Sequence, residues 1–181
     1  LRFHSTDTRF GKVSAVWDRS HGESTVQRVY LSKGIKPSTE FVKTGFPDAE
    51  PGTCSMVDGL LADIRRFLEG EDVPFSLEHV ALGRCSGFQR SVLLAEHGIP
   101  RGSVSTYGSI AAYLSVPGGA RAVGRALSTN PFPVIIPCHR AIRSDGSLGG
   151  YQGGVEMKRA LLGMEGVEFD GERVKMNRVF Y

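Results

Sequence analysis

Residues 105–129 read STYGSIAAYLSVPGGARAVGRALST, and both halves of the stretch carry a helical period. Tyr107, Ile110 and Leu114 fall on one stripe of a first short helix, with Ser105 or Thr106 as its cap. VPGG supplies a tight turn, and Ala120, Val123 and Leu127 form the inward stripe of a second helix. Two short helices joined in this way predict a helix-turn-helix unit. The second helix is nearly bare, because Gly118, Gly119, Ala120, Ala122, Gly124 and Ala126 are interrupted mainly by Arg121 and Arg125. Small side chains let a helix backbone come close to another surface, whether a neighbouring helix or a ligand.

Directly after this unit, residues 131–142 read PFPVIIPCHRAI. VII is expected to be a short buried strand bounded by Pro133 and Pro137, so that Cys138 stands where the chain leaves the core. A free thiol is mostly protonated at neutral pH and becomes a nucleophile when a histidine or a positive charge favours the thiolate. His139 and Arg140 are the adjacent candidates. The plain alternative is an inert buried cysteine behaving as a small hydrophobe. A metal site fits less well, since there is no CxxC pair and a Cys-His neighbour pair lacks the usual ligand spacing. A Cys/His hydrolase would need a distant histidine, for example His79 or His97, and an oxyanion hole.

Upstream, Phe88, Val92 and Ala95 share one face of a helix that begins near Ser86 and is ended by Gly98 and Pro100. The runs FGKVSAVW and TVQRVYLS, separated by DRSHGE, predict an antiparallel hairpin. SMVDGLLADIRRFLEG places Val57, Leu60, Leu61, Ile64, Phe67 and Leu68 at helical spacing, with Ser55 and Asp58 as a capping box and Gly70 as the stop. EHVALG offers one more short strand. The segment RCSG at residues 84–87 is the expected joint. The predicted fold is an α/β N-terminal domain over residues 1–84, a small antiparallel sheet with a helix, followed by a mainly α C-terminal domain over residues 85–181 that holds the helix-turn-helix.

The 181-residue chain is 40% hydrophobic and 23% charged, ordinary for a globular protein, and no apolar run approaches the ~20 residues of a membrane-spanning helix. No membrane role and no signal peptide are expected. Three widely spaced cysteines, Cys54, Cys85 and Cys138, argue against a disulfide framework and for a reducing compartment, cytoplasmic (nucleoid) or nuclear. The net charge of +3 is concentrated in residues 101–145, where Arg101, Arg121, Arg125, Arg140 and Arg143 face only Asp145. Such a segment is either a solvated positive face or a surface for an anionic partner such as a phosphate backbone.

The order of these motifs resembles a known family. PCHR, preceded by NPFPVII and followed by GGYQGG and MKRALLGMEG, is similar to the O6-alkylguanine-DNA alkyltransferases, and the match is collinear from about Phe88 to Gly166. The resemblance implies single-turnover repair, in which the alkyl group of O6-alkylguanine passes irreversibly to Cys138 as a thioether. His139 would act as base through an ordered water, Glu165 would hold and polarise that histidine, and Tyr107 would stabilise the departing guanine. Asn130 would hold the turn between the helix and the active-site strand. The implied partner is double-stranded DNA approached through the minor groove, with the damaged base flipped out and Arg121 in its place. Tyr107, Leu127, Tyr151 and Arg140 complete the implied DNA-contacting set. Leu127 would act as a wedge, and Tyr151, with the GGYQGG backbone, would line the pocket. The chain is expected to act as a monomer.

Two departures concern packing. Leu93 stands where the family usually has tryptophan, and RCSGFQ replaces the more usual Gly-Thr segment ahead of Phe-Gln. The family's N-terminal zinc ligands have no counterparts near Trp17 or Val26, so no metal and no cofactor are expected. The alternative reading is a damage sensor or regulator that binds alkylated DNA without turnover. Retention of Cys138 argues against it.

Overall fold

The computed structural model describes every residue except His21 and Arg178, together with the backbone but not the side chain of Ser20. Two compact units emerge: Leu1–Arg84 with Pro131–Ile135, and Cys85–Asn130 with Ile136–Tyr181. The chain thus leaves the second unit at Asn130, contributes five residues to the first, and returns at Ile136.

In the first unit, β1 (Arg2–Thr8), β2 (Gly11–Ser20), β3 (Glu23–Leu31) and β4 (Glu50–Pro51) form a four-stranded sheet in the order β3-β2-β1-β4. The expected hairpin is β2-β3, although its turn includes His21, which lies outside the described residues. The sheet is mixed, not purely antiparallel, because β4 pairs with β1 in parallel. Opposite the Val16/Trp17 step the register shifts, with Val16 facing Arg28 and Trp17 facing Val26, so Gln27 is an extra residue. That bulge lets Val26 and Val29, three residues apart, both turn inward, and both are buried. EHVALG supplies a single parallel bridge, Val26 to Val80, before a 3₁₀ turn at Leu82–Arg84.

Helix α1 (Ser38–Gly45) packs on β2 and β3, and α2 (Ser55–Leu68) on β1 and β2. The capping box expected at Ser55 is not formed. Cys54 occupies the N-cap position without a side-chain cap bond, and Asp58 accepts a hydrogen bond from the Thr53 hydroxyl instead. Gly70 follows the helix at φ 102°, a conformation that glycine adopts without a steric penalty. Inside the sheet, the buried Ser14 hydroxyl lies 2.8 Å from Ser5 Oγ and 2.7 Å from Ser38 Oγ, which ties two strands to the start of α1.

The second unit is built from α3 (Gly87–His97), α4 (Tyr107–Tyr113), α5 (Ala120–Ser128) and α6 (Val155–Met164), with a short parallel pairing of β5 (Ser105–Thr106) and β6 (Ala141–Ile142). A final hairpin joins β7 (Phe169–Asp170) to β8 (Arg173–Val174). Thr106, not Ser105, caps α4, accepting from Ser109 N at 2.9 Å. In the α4-α5 turn a Cβ at Gly119 would sit 2.8 Å from the Val116 carbonyl oxygen, so this corner admits no larger residue without moving. Helix α3 turns Val92, Leu93, Ala95 and Glu96 inward, while Phe88, expected on the buried face, is 38% exposed.

The expected strand at VII is absent. Val134 adopts φ 76°, so the chain turns there while Phe132, Val134, Ile135 and Ile136 stay buried. A β-branched residue in the left-handed region is strained by about 1–3 kcal/mol. The burial was legible in the apolar run, the turn was not.

Ser14→Ala would leave the buried Ser38 hydroxyl without that partner. The expected result is a loss of about 1–3 kcal/mol, read as a lower urea midpoint with an unchanged slope.

Candidate active site

The PCHR segment closes into a 3₁₀ turn at Cys138–Arg140, with Cys138 N donating to Ile136 O at 2.8 Å and Arg140 N to Pro137 O at 2.8 Å. This tight turn separates the three side chains that follow one another in sequence. Its base is held by Asn130, whose Nδ2 donates to Ile136 O at 3.1 Å, while Gln152 Nε2 donates to Asn130 O at 2.6 Å. The GGYQGG loop is thereby tied to the same corner.

His139 is fully buried, and its Nε2 lies 2.8 Å from Glu165 Oε1. Glu165 stands just past the end of α6, followed by Gly166 at φ 82°. Arg140 Nε donates to Glu165 Oε2 at 2.9 Å and its terminal nitrogen to Oε1 at 2.8 Å, a forked pairing, while Arg140 also donates to Ile99 O at 2.6 Å. Burial alone would raise the Glu165 carboxyl, but hydrogen bonds from His139 and Arg140 and the Arg140 charge hold it well below its usual value. Burial pushes His139 below its usual value. The stable arrangement is therefore a neutral imidazole donating from Nε2 to an ionised carboxylate, which makes Nδ1 the nitrogen that can accept a proton.

Cys138 is buried, and desolvation raises its thiol to about 12 even though a side-chain hydrogen bond from Asn130 pulls it down. At rest the site holds a thiol. Tyr107 is raised to about 12, chiefly by burial, and is a proton donor throughout the neutral range. Gly149 lies against it: at φ 71°, a Cβ there would come 2.7 Å from the Tyr107 hydroxyl. The Tyr151 ring packs edge-on against His139, with centroids 6.2 Å apart, and its buried hydroxyl has no hydrogen-bond partner among the described residues.

On the surface of the same unit, α5 exposes Arg121, Ala122 and Arg125. These line an open groove with Ser86, Phe88 and Gln89. Two expected DNA contacts are elsewhere. Leu127 is 5% exposed and belongs to the apolar core of the unit, so it presents no wedge. Arg140 is committed to Glu165 and the Ile99 carbonyl and is equally buried.

The sequence reading also missed Lys158 and Glu96. Lys158 is wholly buried on α6, donating from Nζ to Ala141 O and Leu148 O, each at 2.6 Å, and to Gly150 O at 3.4 Å. The signal was present, since Lys158 is four residues before Leu162 and Glu96 is three and four residues after Leu93 and Val92. Ionisable residues at inward positions of apolar stripes are candidates for paired or functional burial. Among the described residues no group of three or more histidine, cysteine or acidic side chains could hold a metal ion, and no helix is long and apolar enough to cross a membrane.

Comparison with known proteins gives these residues a context. Residues 87–167 match the family described as 6-O-methylguanine DNA methyltransferase, DNA binding domain. A methylated-DNA–protein-cysteine methyltransferase of Methanothermobacter thermautotrophicus is 42% identical over 160 residues, covering 88% of this chain and 82% of the relative. One of the same description from Mycobacterium tuberculosis is 41% identical, covering 91% of this chain and 92% of the relative. The crystal structure of Mycobacterium tuberculosis OGT in complex with DNA superposes with a TM-score of 0.74 at 30% identity, covering 91% and 92% of the two chains.

Gly149→Ala tests the close approach to Tyr107. The variant should stay folded yet lose most of its reactivity toward substrate, because the added methyl displaces the tyrosine hydroxyl. Single-turnover rates beside circular dichroism check this.

Proposed function

The chain belongs to the methylated-DNA–protein-cysteine methyltransferase family, and from that premise we infer that Cys138 is the residue that takes the alkyl group. The protein repairs alkylated DNA by moving the alkyl group from O6 of guanine to its own cysteine. The observation that carries the assignment to Cys138 is the buried array in which His139 is held on Glu165 at 2.8 Å by a carboxylate that Arg140 keeps ionised. Cys54 and Cys85 are each only half-buried, whereas Cys138 is buried beside this array.

In the proposed reaction the thiol proton passes toward His139 Nδ1, through water where needed, as the sulfur attacks the alkyl carbon from the side opposite O6. The S–C bond forms and the C–O6 bond breaks, its electron pair going to the guanine. Tyr107 hydrogen-bonds to the departing base and supplies the proton that guanine requires, and the proton gathered at His139 restores the balance. Because burial holds the resting thiol near 12, little thiolate is present at neutral pH, and the attack depends on passing the proton to His139. The product is a thioether with no carbonyl for water to attack and a poor leaving group, so each molecule acts once.

The damaged base must leave the helix to reach a buried sulfur. A slim helix exposing Arg121 and Arg125 fits the minor groove, where Arg121 would occupy the vacated stack and Arg125, one turn on, would meet phosphate. Tyr151, edge-on to His139 with its hydroxyl buried, is well placed to face the incoming base.

Incubation with duplex DNA containing O6-methylguanine should add one methyl group per chain, found by peptide mass at Cys138. Continued demethylation by Cys138→Ala would refute the assignment. Arg121→Ala should slow repair of the duplex at least tenfold more than reaction with a free O6-alkylguanine base, since only the duplex needs the extruded base replaced. Equal losses on both substrates would instead assign Arg121 to the fold of the site.

A further inference from the structure

We propose that Glu96 is a tuning residue for alkyl transfer: buried beside the site, it sets, together with Lys158, how readily Cys138 gives up its proton. The proposal rests on Cys138 being the acceptor.

The mechanism above makes no use of Glu96. It sits on α3 facing inward, three residues before Ile99, whose carbonyl accepts from Arg140 at 2.6 Å, is wholly buried, and among the described residues neither of its carboxylate oxygens has a hydrogen bond of good geometry. An apolar side chain would fill this position at lower cost, since a carboxyl taken out of water with so little compensation is unfavourable in either protonation state. The nearest ionisable company is instructive. Lys158 and Arg140 act on Glu96 as positive charges, and the Ala141 backbone N–H favours its anion slightly. Glu96 in turn acts as a negative charge on Cys138, Tyr107, Lys158 and Tyr181. Arg121 and Arg125 of the adjoining α5 are exposed to solvent, and Glu165 is occupied by His139 and Arg140.

Lys158 is the complement. All three of its hydrogen bonds go to neutral carbonyl oxygens, at Ala141, Leu148 and Gly150, so those bonds hold the ammonium in place without cancelling its charge. Three charged groups act on it: Cys138 and Glu96 as anions, and Arg143 as a cation. A thiolate at Cys138 is therefore favoured by Lys158 and opposed by Glu96. When Glu96 carries its proton, the whole field of Lys158 is available to the sulfur. When Glu96 ionises, it both offsets Lys158 and repels the thiolate. Burial places that ionisation at about 8, well above the ordinary 4.5.

The Glu96→Gln variant keeps the shape and removes the charge. The pH dependence of Cys138 labelling by iodoacetamide, read by peptide mass so that Cys54 and Cys85 do not contribute, is the primary measurement. The midpoint should fall by about one pH unit, roughly a tenfold gain in thiolate at a fixed pH between about 8, where Glu96 ionises, and the midpoint. Burial lowers Lys158 to about 8, so its charge acts on the sulfur near neutral pH, and Lys158→Met should slow Cys138 labelling at neutral pH and leave the midpoint in place. An unmoved or raised midpoint in Glu96→Gln overturns the proposal. A second readout is stability. A carboxyl whose folded pKa is raised stabilises the fold fully below its unfolded pKa and loses that contribution as pH rises through the folded value. The native chain should therefore lose thermal stability between pH 4.5 and about 8 more steeply than Glu96→Gln, and equal slopes would also overturn the proposal. Methyl transfer from DNA to Cys138, measured on the same variant, separates the outcomes. Transfer with an unmoved midpoint sinks only this inference, whereas a native chain that transfers nothing sinks the functional reading on which it rests.

Discussion

One carboxylate organises the second unit. Glu165, withdrawn from water at the end of α6, accepts from His139 and twice from Arg140. An ionised carboxylate survives burial only when its oxygens are filled by donors and its charge is met by a cation. Both conditions are supplied by the two residues that follow Cys138, so satisfying Glu165 fixes the 3₁₀ turn, and with it the direction in which the sulfur points. Arg140 also reaches the Ile99 carbonyl, which extends the same constraint to the end of α3.

The division of labour within PCHR follows from that constraint. Arginine, with a planar fork and a permanent charge, keeps the carboxylate ionised. Histidine, made less basic by burial, stays neutral and is left able to accept a proton. The arginine's charge is met by Glu165 inside the unit and is unavailable to an external phosphate.

The two units show different solutions to burying polar groups. In the first, hydroxyls are linked in a short chain from Ser5 through Ser14 to Ser38, all neutral and mutually satisfied. The second buries Glu96, His139, Arg140, Lys158 and Glu165, a concentration of ionisable groups that an apolar core would avoid. Ionisable groups held out of water with displaced pKa values mark places where protons are moved. The unit that carries them is the one that the functional reading needs.

Much was legible in the residues alone because it depends on neighbours a few positions apart. The β2-β3 hairpin, the amphipathic α2, the pair of helices at 105–129 and the bare face of α5 follow from alternation, helical spacing and turn residues. The motif order around PCHR pointed to the family. By contrast β1, whose sequence RFHSTDT is polar and lacks clear alternation, and the short α1 carried no strong local signal. The apolar run VII declared its burial but not its bend at Val134, because burial follows from apolar side chains, whereas a left-handed backbone at a β-branched residue has no glycine or asparagine to announce it. The family resemblance put Arg140 and Leu127 at the DNA, although helical spacing had already set Leu127 on the inward stripe of α5. Whether a guanidinium meets solvent or a carboxylate 25 residues away depends on contacts between segments that sequence spacing does not encode. Local periodicity could establish what each segment would become, and only the packing of distant segments could decide which charges met.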